Sequence, residues 1–188
     1  MVATKFILDM SKTDIHIIFP HQIFKTTEVL EKVEHIYLVE EFLFFNHYKF
    51  HKQKLAFHRA SMKAYEDYLA AKGKSVTYIE ATDELCDTRV LLPELKDQGI
   101  KTLHIIDPTD SWLEKHLKQS SEGIDIKWYD NPLFINTKEE LSSFFKPDKK
   151  KFYQTSFYKN ERKNRDILMS SGSPEGGKLT YDSENRKK

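Results

Sequence analysis

Three short stretches gather the residue types that could do chemistry: "FPHQIF" at 19–24, "VEEFLFF" at 39–45 and "IIDPTDSW" at 105–112. His21 and Gln22 offer donors and acceptors, Glu40 and Glu41 carboxylates, and Asp107 and Asp110 a second acidic pair. Phe44 and Phe45 belong to "FLFFNHYKF", where four phenylalanines, a tyrosine and a leucine crowd a segment in which polar turn residues would be ordinary. Convergent polar groups beside an aromatic wall suit a flat ligand. His21, Gln22, Glu40, Phe44 and Phe45 are therefore the candidate ligand-binding residues. The same residues equally suit polar loops and an aromatic plug for the core.

Other chemistries lack their residues. The chain has no G-x-G-x-x-G, no G-x-x-x-x-G-K-[ST] and no G-x-S-x-G, which disfavours a standard dinucleotide site, a P-loop and a hydrolase elbow. Among the eight histidines, His51 and His58 stand seven apart with His47 nearby. That spacing leaves two helical turns between them, against the three- or four-residue step of helical metal ligands. No catalytic residue and no metal site is assigned.

The elements that must position these loops are legible from punctuation and periodicity. "DIHIIFP" and "HIYLVEE" read as buried strands. Gly73, Gly99 and Gly123 each follow a helical pattern and lead into a β-rich run, as helix-closing glycines do. Five strands separated by helices predict an α/β fold: a Rossmann-like, doubly wound, mainly parallel sheet of order 3-2-1-4-5 with helices on both faces. Ligands in such sheets lie beyond the C-terminal strand ends where the connections diverge, here between strands one and four.

The strongest helix spans "FHKQKLAFHRASMKAYEDYLAAKG". Leu55, His58, Met62, Tyr65 and Leu69 share one face, and Lys52, Arg59, Lys63 and Asp67 fall where water reaches them. Pro93 should begin or kink a turn within 84–98. "NTKEELSSFF" opens on a helix cap with acidic residues behind it.

The chain of 188 residues, 39% hydrophobic and 31% charged, suits one α/β domain over 13–146 followed by a basic helix and linker over 147–188. Its formal charge of +1 supplies no global pull on nucleic acid, but from Lys146 onward Lys and Arg outnumber Asp and Glu by about two to one. Lys149 to Lys151, Lys159, Arg162, Lys163 and Arg165 form the basic cluster, read as a solvated or docking face. The helix there has a thin apolar face of Tyr153, Phe157 and Leu168, and is expected to need a partner. No apolar run approaches bilayer length, Phe6-Ile7-Leu8 is too short for a signal peptide, and the single Cys86 excludes an internal disulfide. A reducing cytoplasm is the simplest setting.

Four stretches, "FPHQIF", "HKQKLAFHRASM", "FYQTSFYKNERKNRDILM" and "GGKLTYDSENRKK", together resemble the photolyase–cryptochrome superfamily, in its prokaryotic deoxyribodipyrimidine photolyase-related branch. The resemblance implies an amino-terminal antenna domain of a flavoprotein for light-driven DNA repair or photoreception. In that family a helical domain holds FAD and a four-iron cluster on four cysteines; one cysteine cannot ligate such a cluster. Gly176-Gly177 and Glu184-Asn185-Arg186 resemble the family's hinge, so this chain is expected to be the front part of a longer protein. Its partners would then be its own FAD domain and, for the whole protein, damaged DNA, with no membrane.

The antenna pigment implied is a lumazine-type ring over His21, Gln22 and Glu40, walled by Phe44 and Phe45. Gln22 fits the family's first loop. The second loop departs from it: Phe44 and His47 stand where lumazine-binding relatives are expected to carry a carboxylate and a tyrosine, and Pro20-His21 replaces a common Gly-Asp. The competing reading is a stand-alone nucleotide- or small-ligand-binding module with a basic interaction tail.

Overall fold

The computed structural model describes residues 13–181, which divide after Ile135 into two compact units. Phe6-Ile7-Leu8 and Glu184-Asn185-Arg186 lie outside the described residues. The first unit is a five-stranded parallel sheet of order β3-β2-β1-β4-β5. Its strands are β1 (Asp14–Ile18), β2 (His35–Val39), β3 (Ser75–Ile79), β4 (Thr102–Ile106) and β5 (Asp125–Tyr129). In register, Ile15 of β1 stands between His35 of β2 and Leu103 of β4. The three interior strands are buried almost throughout, as parallel strands covered on both faces must be.

Alternation along β1 splits the core in two. Ile15, Ile17 and Phe19 pack with Leu91, Leu92 and Leu95 of α4 (Thr88–Asp97) and Leu113 and Leu117 of α5 (Ser111–Ser120). On the opposite face Ile18 joins Ile36 and Leu38 beneath Met62, Tyr65 and Leu69 of α3 (Lys52–Ala71), while α1 (Glu28–Lys32) adds Leu30. Each aliphatic side chain so enclosed contributes about 1.5–3 kcal/mol. Helices thus cover both faces, as the sequence pattern predicts.

Two local outcomes differ from the pattern. Pro93 does not interrupt the helix: α4 runs through it and closes at Gly99. Only the bond that its missing N–H would have made to Arg89 is forgone, and the surrounding leucines hold the helix against the sheet. Gly99, at φ 90°, donates to the Lys96 carbonyl while Ile100 reaches back to Leu95, a closure that needs the left-handed backbone. In α3 the apolar stripe is deepest at its C-terminal half. Leu55 and His58 are only half-buried.

The second unit holds α6 (Lys138–Phe144), α7 (Gln154–Asn164) and a two-stranded ribbon of β6 (Met169–Ser170) and β7 (Ser173–Pro174). Thr137 and Glu140 cap α6 reciprocally. Of the thin face of Tyr153, Phe157 and Leu168, only Phe157 is covered from inside this unit; Tyr153 and Leu168 are exposed. Phe157 meets Phe144 and Phe145 at ring separations of 5.1 and 5.0 Å, and Phe145 meets Phe152 at 5.2 Å.

Arg162 is not a phosphate-ready cation but the unit's interior hub. It is buried, and its guanidinium donates to the carbonyls of Ile167, Leu168, Lys178 and Leu179. Arg165 is likewise engaged, with Glu161 and Glu140. Among the described residues, no helix is long and apolar enough to cross a membrane.

Candidate functional site

The C-terminal ends of β1, β2 and β4 carry the three loops together. α3 ties down the first loop: Tyr65 donates to the Phe24 carbonyl at 2.5 Å and Tyr68 to that of Lys25 at 2.7 Å. The second loop winds into α2 (Phe42–Phe45), capped by the Glu41 carboxylate. The third ends at Asp110, which accepts the Trp112 and Leu113 amides that open α5. Thr109 just before it sits at φ 52°, an uncommon conformation for a β-branched residue.

His21 and Phe44 are brought together, with ring centroids 4.8 Å apart. His21 donates through Nε2 to the Pro108 carbonyl at 2.9 Å, and its Nδ1 is sealed without a partner. Burial holds this imidazole below its ordinary pKa.

Gln22 turns inward. Its amide nitrogen bonds the carbonyls of Ile106 at 2.9 Å and Asp107 at 3.1 Å, strapping the first loop to the end of β4, while its Oε1 is buried and unpartnered. Phe45 is also internal, buried with Ile18, Leu38 and Met62. Phe44 is half-buried between the two core clusters.

Glu40 has no exposure to solvent and is fully engaged. Arg59 closes a two-bond fork on it, Tyr78 donates its hydroxyl at 2.8 Å, and the Ala81 amide donates at 2.8 Å. Burial alone would raise this carboxyl's pKa. The Arg59 fork, the Ala81 amide and the Tyr78 hydroxyl outweigh it and hold the group below its usual value. Arg59, read from sequence as a solvent-facing residue, is thus the counter-charge of the site. The helical period assigned it to the outer face, and nothing in the spacing signals a partner on another loop.

Around these residues lies an aromatic rim. His47 meets Trp112 at 5.3 Å, Tyr48 at 4.3 Å and Phe42 at 5.9 Å, and the guanidinium of Arg89 lies over Phe42. Trp112 and Tyr48 are largely exposed. Beside the rim, Phe42, Asn46, Asp83, Cys86, Asp87 and Val90 line an open cavity of about 360 Å³. Behind it, Glu41, Asp87 and His116 converge, each from a different loop or helix. Burial pushes the Glu41 carboxyl up to about 7, against the donors of Leu43 and Thr88 that favour its ionised form. The arrangement can stack a flat ring on exposed aromatics.

Comparison with known proteins gives two matches. The family model for "Deoxyribodipyrimidine photo-lyase-related protein" matches residues 16–188. The protein described as "Uncharacterized protein R852", from Acanthamoeba polyphaga mimivirus, is 36% identical over 185 residues, covering 92% of this chain and 93% of that protein.

Proposed function

The chain belongs to the deoxyribodipyrimidine photolyase-related family, and from that membership we propose that its α/β unit is the antenna-pigment-binding and docking part of a light-driven flavoprotein for DNA repair or photoreception. The single observation that carries the reading is the His21–Phe44 pair at the switch between β1 and β4, with an unpartnered imidazole nitrogen beside a half-exposed aromatic wall. A lumazine-type ring suits that pair in part. Phe44 and the neighbouring rim offer faces for stacking, and the His21 ring, packed against Phe44, extends that wall. Gln22 and Glu40 are spent on the protein itself, so stacking dominates the hold. The pigment's role is to collect light for a flavin held elsewhere. One cysteine in the whole chain cannot ligate a four-iron cluster, so FAD, such a cluster and contact with damaged DNA belong to a helical domain reached through the segment 147–188.

A second reading rests on the open cavity of about 360 Å³ beside the aromatic rim. In it the domain binds a nucleotide or another small flat ligand at the same crevice.

One titration separates the two. A ribityl-lumazine, FAD and adenine nucleotides are added singly to the purified chain, following ligand fluorescence and thermal midpoint. The antenna reading expects saturable lumazine quenching, weakened several-fold by His21→Ala. Binding of nucleotide without lumazine selects the second reading. An unchanged midpoint with every ligand sinks both.

A further inference from the structure

Glu41 is a carboxylate with no exposure to solvent, and no ion pair among the described residues joins it. Arg59 is committed to Glu40 and Arg89 to Asp87. What Glu41 receives is neutral: the Leu43 amide on Oε2 and the Thr88 hydroxyl on Oε1 at 3.2 Å. Buried carboxylates are ordinarily paired, bound to a metal or neutralised by a proton.

We propose that Glu41, Asp87 and His116 bind a divalent first-row transition-metal ion, with zinc as the reference case. A carboxylate oxygen of Glu41, one of Asp87 and a ring nitrogen of His116 all lie within 4.8 Å of one another. Ligand atoms sharing one zinc at about 2.0–2.2 Å stand roughly 3–3.6 Å apart, so the set must draw in by about 1 Å to take the ion. A second, independent observation is that Nδ1 of His116 is buried with no hydrogen-bond partner. The ring as a whole is half-buried, and its shielded Nδ1 lacks the acceptor or donor that would otherwise fix the tautomer.

The scaffold suits a metal site. Glu41 caps α2, Asp87 caps α4, and His116 projects from α5, so all three are set by helix positions rather than by free loops. The Arg89 fork orients Asp87, and ligating carboxylates are typically hydrogen-bonded in turn. An entry path exists, since Asp87 also lines the open cavity of about 360 Å³, whose rim includes Asp83 and Glu84. Two oxygens and one imidazole, with further positions left for water or ligand, favour zinc over manganese by the usual affinity order. The competing account is that both carboxylates serve only as helix caps.

The test is a calorimetric titration of the chelator-stripped chain with zinc chloride, and in parallel with manganese chloride. One equivalent of zinc should bind, more tightly than manganese, and raise the thermal midpoint. His116→Ala and Glu41→Gln should each weaken zinc by at least about tenfold, while His51→Ala leaves it unchanged. Gln keeps its one oxygen for the Leu43 amide and turns its NH2 to the Thr88 hydroxyl, which can accept, so Glu41→Gln preserves the cap even if His116→Ala folds poorly. Absence of zinc binding, or zinc binding indifferent to Glu41→Gln, overturns the proposal.

Discussion

The guanidinium of Arg59 closes on Glu40 across nineteen positions of chain and, with Tyr78 and the Ala81 amide, seals a carboxylate with no exposure to solvent. Arg59→Ala removes the cation and leaves the charge behind, so the α/β unit should lose about 3 kcal/mol by urea unfolding. Arg59→Ala combined with Glu40→Leu should recover most of that loss. A single variant as stable as the parent would show that the fork contributes nothing.

His16 gives the fold an acid limit. Its Nδ1 donates to the His104 carbonyl at 2.7 Å, its Nε2 is buried without a partner, and burial lowers its pKa to about 4. The unfolded ring titrates near 6.5, so the unfolded chain binds the extra proton first. Stability is complete above pH 6.5 and falls toward pH 4, by about 3 kcal/mol in all. Glu41 acts with the opposite sign, its raised pKa favouring the fold in acid. His16→Asn keeps a donor for the His104 carbonyl, and should flatten the pH 4–6.5 segment of the unfolding free energy relative to the parent.

The two phenylalanines of α2 should separate. Phe45→Ala hollows the core under α3 and should cost about 3–5 kcal/mol, whereas half-buried Phe44→Ala should cost less in stability and more in lumazine binding. Gln22→Ala strands two carbonyls and should lower apo stability by about 1–3 kcal/mol. Equal stability losses for Phe44→Ala and Phe45→Ala would remove the distinction.

In the second unit, Arg162→Ala should release the carbonyls of residues 167, 168, 178 and 179 together. The readout is hydrogen exchange across 154–180, expected to quicken at least tenfold, because local opening follows the loss of the bonds that hold it. Arg162→Lys should not restore protection, since one ammonium cannot span the four acceptors that a planar fork reaches. Unchanged exchange would mean that the ribbon is held by other contacts.

How far the sequence discloses this molecule depends on the range of each signal. Strand order and helix faces were legible because they follow from period and punctuation: the alternation in "DIHII", the Met62–Leu69 stripe, the glycines after α3, α4 and α5. Capping of α6 by Thr137 was legible because cap and partner are three residues apart. The pairing of Glu40 with Arg59, the inward turn of Gln22 and the hub at Arg162 were not, for each depends on groups distant in sequence and invisible to a local window. Pro93 was misread for the same reason, since packing of α4 overrode a local preference. The His21–Phe44 contact joins two loops that the sheet topology had already placed at one edge. The convergence of Glu41, Asp87 and His116 joins three segments, and no spacing rule connects them.

The central pairing of β1 with β4 has a cost in time. His16 and His104 face each other 88 positions apart, so the middle of the sheet cannot close until most of the first unit has been made. At roughly 5–20 residues per second of synthesis, β1 waits about 4–18 s for its second neighbour. Through that interval its apolar edge can pair only with β2, which makes the β1–α1–β2 crossover the first structure available to the chain. The Arg162 hub, by contrast, draws on carbonyls within 17 positions and needs no such wait. The two units should therefore differ in folding rate, with the sheet the slower and the more dependent on a chaperone while its middle is open.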